Sequence, residues 1–150
     1  MEKYVNLLLG SKLIYITRTC DIVMLGFESR IDKKTVCLNI SGDMRILDRD
    51  ELIISYFDMH GPGRKYTGQL YKFKYDEPGQ SFFDDQVEDN YDKIMNLKVE
   101  DVKFRNKDLF ITLDKHIRIE VTAYTLVSDQ EFYRLFIDDD LESHFVVGNP

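Results

Sequence analysis

The chain has no tryptophan, two cysteines, three prolines and three histidines in 150 residues, and each scarcity closes off a class of explanation. The thiols of Cys20 and Cys37 are too few for the disulfide framework of a small secreted domain. A chain of this length buries roughly 68–70% of the surface that its unfolded form exposes, so it folds without such a staple. Each cysteine lies in an apolar run, where a free thiol behaves as a small buried hydrophobe. Two reduced thiols in a cytoplasmic protein are the expectation. The opening residues Met1 to Gly10 carry an acid and a base, then an apolar patch only from Val5 to Leu9. That is too short and too poorly flanked for a signal peptide. No apolar stretch approaches the ~20 residues of a membrane span.

Recognisable chemistry is equally scarce. His60 lies in a Gly-Pro loop, His116 in a turn, and His144 before Phe145-Val146. None has a second histidine at metal-ligand spacing, so neither metal nor cofactor is expected. There is no G-x-S-x-G elbow, and neither cysteine has a catalytic context. His60-Gly61-Pro62-Gly63-Arg64-Lys65 lacks the strand-before, helix-after frame of a phosphate loop. Asp138-Asp139-Asp140 and the acids of 84–92 lack the alternation and glycine of a calcium loop. The residues therefore point away from an enzyme, and no catalytic residue is assigned. A net charge of -7 argues against nucleic acid, which needs cations to displace its counterions, and against anionic membranes. It suits a basic protein partner, or simply solubility.

What the chain has is strand-forming material. It is 43% hydrophobic, with 10 Phe and 9 Tyr, and aromatic side chains pack well on pleated surfaces. Glu2 to Leu9 reads as a short helix capped by Gly10, or as a strand. Two apolar runs around Leu13–Arg18 and Ile22–Phe27, separated by Thr19-Cys20-Asp21, predict an antiparallel pair. Thr35–Ile40 and Met44-Arg45-Ile46 follow as strands. Glu51–Phe57 reads as a strand, with a short helix as the competing assignment. The middle is punctuated by His60-Gly61-Pro62-Gly63 and Glu77-Pro78-Gly79. Residues 84–92 read as a long connecting loop with one helical turn. Alternation returns at Leu97–Val102, where the phase slips near Asp101 and predicts a bulge or a strand end. It continues through Leu109–Leu113, a tight connection at Asp114-Lys115-His116, and Ile117–Val121. Glu131–Ile137 suits a helix or a strand, and Ser143–Val147 is a last strand.

The two halves resemble each other. Lys12-Leu13, Ile16, Asp21-Ile22, Met24 and Phe27 correspond to Lys98-Val99, Val102, Asp108-Leu109, Ile111 and Leu113. Val36, Leu38 and Ile40 correspond to Ile117, Ile119 and Val121. Each half reads as a three-stranded meander, although any two meanders share such alternation. The expected fold is one domain over residues 1–150, α+β and mostly β. Its two antiparallel meanders form a curved sheet, partial barrel or sandwich, with one or two short helices.

Two sets of residues stand out as candidate sites. Asp84, Asp85, Glu88 and Asp89, with Tyr66 and Tyr71, join acids to aromatics around the Gly-Pro loop, a composition typical of partner surfaces. Arg18, Arg45, Arg134 and His144 each adjoin an apolar strand and define an alternative ligand or enzyme pocket. The competing view of the arginines is structural pairing, in salt bridges to Asp21 or Asp43.

The line Leu9-Gly10-Ser11-Lys12-Leu13, Ile16-Thr17-Arg18, Asp21-Ile22-Val23, Leu25-Gly26-Phe27 resembles the opening of a group of small uncharacterised proteins of Gram-positive bacteria. The resemblance continues at Leu38-Asn39-Ile40, Met44-Arg45-Ile46, Gln80 to Asp85, Glu131 to Phe136 and Ser143 to Val147. In that group an aromatic, often Trp, precedes the arginines matching Arg45 and Arg134, where this chain has Met44 and Tyr133. The group carries no assigned chemistry. In size, acidity and β-rich build the chain also resembles immunity proteins that neutralise bacterial toxins. That likeness implies a non-enzymatic binding domain acting by occlusion, with a basic toxin domain as partner. The other readings are the Arg/His pocket and a structural or oligomerisation module pairing through an exposed strand edge.

Overall fold

A computed structural model describes residues 1–150, the side chain of Leu141 excepted. Helix α1 (Glu2–Leu8) leads into a meander of β1 (Lys12–Thr19), β2 (Ile22–Glu28) and β3 (Thr35–Ile40), then a hairpin of β4 (Asp43–Asp48) and β5 (Glu51–Ser55). Helix α2 (Phe82–Ile94) leads into a second meander of β6 (Val99–Arg105), β7 (Asp108–Leu113) and β8 (Ile117–Thr122), then a hairpin of β9 (Glu131–Ile137) and β10 (Asp140–Gly148). The strands form two antiparallel five-stranded sheets in the orders β1-β2-β3-β9-β10 and β5-β4-β8-β7-β6, neither closed into a barrel. Each sheet thus joins the meander of one half to the hairpin of the other. The expected α+β, mostly β fold with two meanders in a sandwich-like arrangement is what is found.

The registers make the relation between the halves quantitative. In β1–β2, Leu13 faces Phe27, a bulge intervenes, and Tyr15 faces Gly26. In β6–β7, Val99 faces Leu113, a bulge intervenes, and Asp101 faces Thr112. Every one of these pairs is offset by 86 residues, the bulge included. The left-handed positions obey the same offset: Gly10 (φ 76) with Asn96 (φ 63), and Cys20 (φ 52) with Asn106 (φ 57). Where the halves meet, Lys12 bridges Lys98, its own counterpart. Around that bridge Gly10 N–H donates to Val99 O and Asn96 N–H to Leu13 O. Leu13 N–H donates to Leu97 O and Val99 N–H to Ser11 O. These four bonds form two pairs exchanged by a two-fold axis through the bridge.

The same axis relates the exchanged hairpins. Val36, Leu38 and Ile40 of β3 face Ile137, Leu135 and Tyr133. Ile117, Ile119 and Val121 of β8 face Asp48, Ile46 and Met44. Met44-Arg45-Ile46 therefore corresponds to Tyr133-Arg134-Leu135. The inward side chains of both sheets form one core, with Leu25, Phe27, Leu38, Ile111, Ile119 and Leu135 fully buried. The correspondence of Ile22 and Met24 with Leu109 and Ile111, read from sequence, is one residue out. The register places Val23 and Leu25 there, because β2 is apolar on both faces and its alternation does not mark the core side.

Several local assignments also change. Residues 84–92 belong to a 13-residue helix, not a loop. Ser81 caps it: its Oγ accepts from Asp84 N–H at 3.2 Å and the Asp84 carboxylate accepts from Ser81 N–H at 3.0 Å. That is a capping box, and Phe83 and Ile94 bury the inner face. Glu51–Phe57 is both things in turn, a strand to Ser55 and then a 3₁₀ turn over Tyr56–His60. Gly10 takes the expected positive φ, but its N–H bonds across the two-fold axis and does not close α1. Cys37 is buried as expected, whereas Cys20 is exposed at the left-handed corner of the β1–β2 turn. Glu131–Ile137 is a strand, and the bulge expected near Asp101 is present.

Helix α2 also closes a sheet edge. Ser55 N–H of β5 donates to Gln86 Oε1 at 2.9 Å, and Asn90 Nδ2 donates to Ile53 O at 3.4 Å. These side chains satisfy backbone groups that an edge strand otherwise leaves open. At the equivalent edge, the Tyr4 hydroxyl of the shorter α1 donates to Ser143 O of β10.

Candidate functional site

The excursion between β5 and α2 joins the two halves. It begins with a turn that buries Tyr56 and Met59. Burial pushes the Tyr56 hydroxyl up to about 12, and that hydroxyl donates to Asp21 O. The chain then passes through a neck. Phe82 N–H donates to Gly61 O at 2.9 Å, Gly63 N–H donates to Gln80 O at 2.8 Å, and Pro62 bridges Ser81. Residues 64–79 therefore leave and re-enter the fold at one point. Within them, two short 3₁₀ turns (Arg64–Tyr66 and Leu70–Lys72) and the ring pair Tyr66–Phe73 at 6.4 Å give the loop its own packing. A compact surface loop with adjacent ends is an Ω-loop, a form often used for binding.

Arg64 fastens this loop to α2. Its backbone N–H donates to Asp85 Oδ2 at 2.6 Å, and its guanidinium meets Asp89 at 2.5 Å. The Asp89 contact lowers the Asp89 pKa and raises that of Arg64. The loop tip is left apolar and open, with Tyr71 84% and Leu70 63% exposed. Phe57, Tyr75 and Phe82 are also exposed along the excursion and at the start of α2.

The six residues singled out for partner binding are thus brought to one region in unequal roles. Asp84 is structural. Both its oxygens meet Arg18, at 2.8 Å each, while Arg18 also donates to Cys20 O and Glu77 O. Burial alone raises the Asp84 carboxyl, but Arg18 and Ser81 outweigh it and hold the pKa low. Asp85 and Asp89 hold the loop. Glu88 is exposed on α2, Tyr66 is half-buried against Phe73, and Tyr71 stands at the tip. Leu70, which composition alone did not mark, joins Tyr71 there.

The residues of the alternative pocket lie apart. Arg18 belongs to the β1–α2 junction. Arg45 lies on the outer face of the other sheet, 2.6 Å from Glu120, which Arg118 also meets at 2.8 Å. Burial raises the Glu120 carboxyl, and these two cations overcome it. Arg134 and His144 do come together, with Arg134 Nη1 3.3 Å from His144 Nδ1. They share a groove of about 460 Å³ with Asn39, Glu131 and Phe136. Glu131 forms a two-point pair with Arg134, and His144 stacks on Phe136 at 4.6 Å. Each arginine therefore has a carboxylate within the chain, but the partners are Asp84, Glu120 and Glu131, not Asp21 or Asp43. Asp84 and Glu120 are distant in sequence from their arginines, whereas Glu131 lies three residues before Arg134.

Among the described residues no three His, Cys, Asp or Glu side chains are grouped to hold a metal ion, and no helix is long and apolar enough to cross a membrane. No family model matches the chain, and neither a curated protein nor a solved structure matches it.

Proposed function

We propose that this chain is a non-enzymatic protein-binding domain of the immunity type, which neutralises a bacterial toxin domain by covering its surface. The observation that carries the reading is the neck-closed loop 64–79, which holds Leu70 and Tyr71 in the open on a folded base. Exposed aromatic side chains on a braced loop are the usual energetic centre of an interface, and bracing limits the entropy lost on binding. Asp84, Asp85 and Asp89 are engaged by Arg18 and Arg64, so the apolar tip leads the contact. Glu88 and the net charge of -7 favour a basic partner and faster encounter.

The test is coexpression with a toxin domain encoded beside this gene, read as rescue of growth and as a complex on gel filtration. Three forms are compared: the intact chain, Leu70→Ala/Tyr71→Ala, and a form in which Asn-Gly replaces Arg64–Gly79. The intact chain rescues, and both altered forms fold but fail. Full rescue by the loop-less form overturns the assignment of the loop, and absence of any complex overturns the function.

A second reading has one observation behind it: the Arg134–His144 groove, in which His144 Nε2 is buried without a hydrogen-bond partner. Calorimetric titration with small carboxylates decides it, no heat at millimolar ligand counting against it.

A further inference from the structure

We infer that the molecule is a dimer fused into one chain, in which residues 1–63 and 80–150 are two mutually completing units that stay associated without the peptide link through loop 64–79. Three observations converge on this. The registers, the bulge and the left-handed corners repeat with one offset, and the cross-axis bonds come in exchanged pairs about Lys12 and Lys98. Each unit ends in a hairpin that finds its sheet only in the other unit, through β3–β9 and β4–β8. Neither unit owns a closed core, since Leu38 and Leu135, or Ile46 and Ile119, are neighbours from opposite units. A unit alone would expose those faces and leave one long ladder edge of its meander unpaired. The partner that each unit recognises is the other, with two exchanged ladders and a shared apolar core as the interface. The neck at Gly63 and Gln80 holds the two ends of 64–79 together, so the units remain in contact when the peptide link between them is opened, and the contacts of Arg64 with Asp85 and Asp89 and of Glu77 O with Arg18 survive the cut.

The experiment cuts the folded chain at a protease site inserted after Gly68, where φ is 82 and an added Cβ would meet no atom within 4 Å. The cut protein elutes at the size of the uncut one. Its unfolding becomes bimolecular, so tenfold dilution lowers its midpoint by about 3–5 °C while the uncut chain does not respond. Fragments separated in urea show no cooperative transition singly and regain the native circular dichroism when mixed at equal concentration. A second form is cut after Asp32, in the exposed β2–β3 connection and inside one unit. Its fragments reassemble at least tenfold more weakly. Either fragment of the Gly68 cut folding alone, failure of the mixture to recover, or equal reassembly after the two cuts overturns the inference.

Discussion

Asp84 stands where α2 meets β1, and its removal separates an acid that holds the fold from acids that face outward. In Asp84→Ala the Arg18 guanidinium, its side chain 2% exposed, keeps two carbonyl contacts and loses its carboxylate. Removing one member of a buried pair costs about 3–5 kcal/mol, because the charge left behind is uncompensated. The Asp84 half of the capping box goes with it, for less than about 1 kcal/mol more, while Ser81 Oγ still accepts from the backbone N–H of residue 84. Asp84 itself is 16% exposed, so water reaches the site and the lower end applies, about 3–4 kcal/mol in total. Typical domain stabilities are roughly 5–15 kcal/mol, so the variant stays folded at low temperature with its urea midpoint much reduced. The slope of the transition is unchanged, since the surface exposed on unfolding is the same.

The complementary variant tells cause from coincidence. In Arg18→Met the methionine fills the apolar part of the site, while Asp84 keeps its bonds to Ser81. The loss is smaller, about 1–2 kcal/mol. The double variant costs less than the sum by about 1–2 kcal/mol, as contacting pairs do. Acid gives a second readout. The Asp84 pKa is lower in the folded chain than in the unfolded one, so its contribution is complete above about pH 4 and is lost as pH falls through the depressed value. Asp84→Asn flattens that part of the stability profile. A loss below about 1 kcal/mol in Asp84→Ala, additive variants, or an unchanged acid limb in Asp84→Asn each refute the structural role.

Further tests follow from packing. Tyr133 is fully buried and its hydroxyl has no hydrogen-bond partner. Tyr133→Phe removes a stranded polar group and raises stability by about 1 kcal/mol, seen as a higher thermal midpoint; a lower midpoint contradicts this. At Gly26 a Cβ would lie 2.1 Å from the Tyr15 ring, which itself reaches Cys37 Sγ at 3.4 Å. Gly26→Ala therefore displaces the ring and costs about 1–3 kcal/mol. Adding Tyr15→Ala to that background recovers part of the loss in urea titrations. No recovery shows that the strain lies elsewhere. Replacing Arg64–Gly79 by Asn-Gly lowers the midpoint by less than about 5 °C; a larger fall, measured by calorimetry, means that the loop supports the fold.

Strand content, both meanders and the Asp101 bulge were legible because their signals are local. Leu109–Leu113 and Ile117–Val121 alternate strictly, and alternation with a short turn specifies an antiparallel pair. The fate of Glu131–Ile137 was not, since Phe132, Leu135 and Phe136 satisfy a helical spacing and only pairing with β3 decides against it. Helix α2 was hidden by its acids: Asp84, Asp85, Glu88, Asp89 and Asp92 look like solvated loop. The Ser81-x-x-Asp84 capping signal, with Phe82-Phe83 as its middle residues, was present in the sequence and marks the start of the helix. Exchange of the hairpins lay beyond any local signal, because it depends on which edge each hairpin meets. The arginine partners were concealed for the same reason. Glu120 becomes the neighbour of Arg45 only once β4 pairs with β8.

The two-fold frame separates the repeated scaffold from what is added to it. Much of the scaffold has a counterpart in the other half, as Lys12 has Lys98 and Arg45 has Arg134, although the structural Arg18–Asp84 pair has none. Loop 64–79 joins the halves themselves. Within them, two links differ in length. One joins β2 to β3 through residues 29–34, where residues 114–116 join β7 to β8. The second joins β8 to β9 through residues 123–130, where the equivalent link between β3 and β4 is Ser41-Gly42 alone. That second connection is also braced: Asn149 Nδ2 donates to Thr125 O at 2.9 Å and to Val127 O at 2.8 Å, and Tyr124 packs on Phe132. It holds Leu126 98% exposed. Folding accounts for neither Leu126 nor Tyr71, since neither contributes to the shared core. Both sit on backbone that hydrogen bonds hold in place. Apolar side chains held open on braced loops, outside an otherwise repeated scaffold, are therefore the positions at which the proposed contact with another protein is to be tested first.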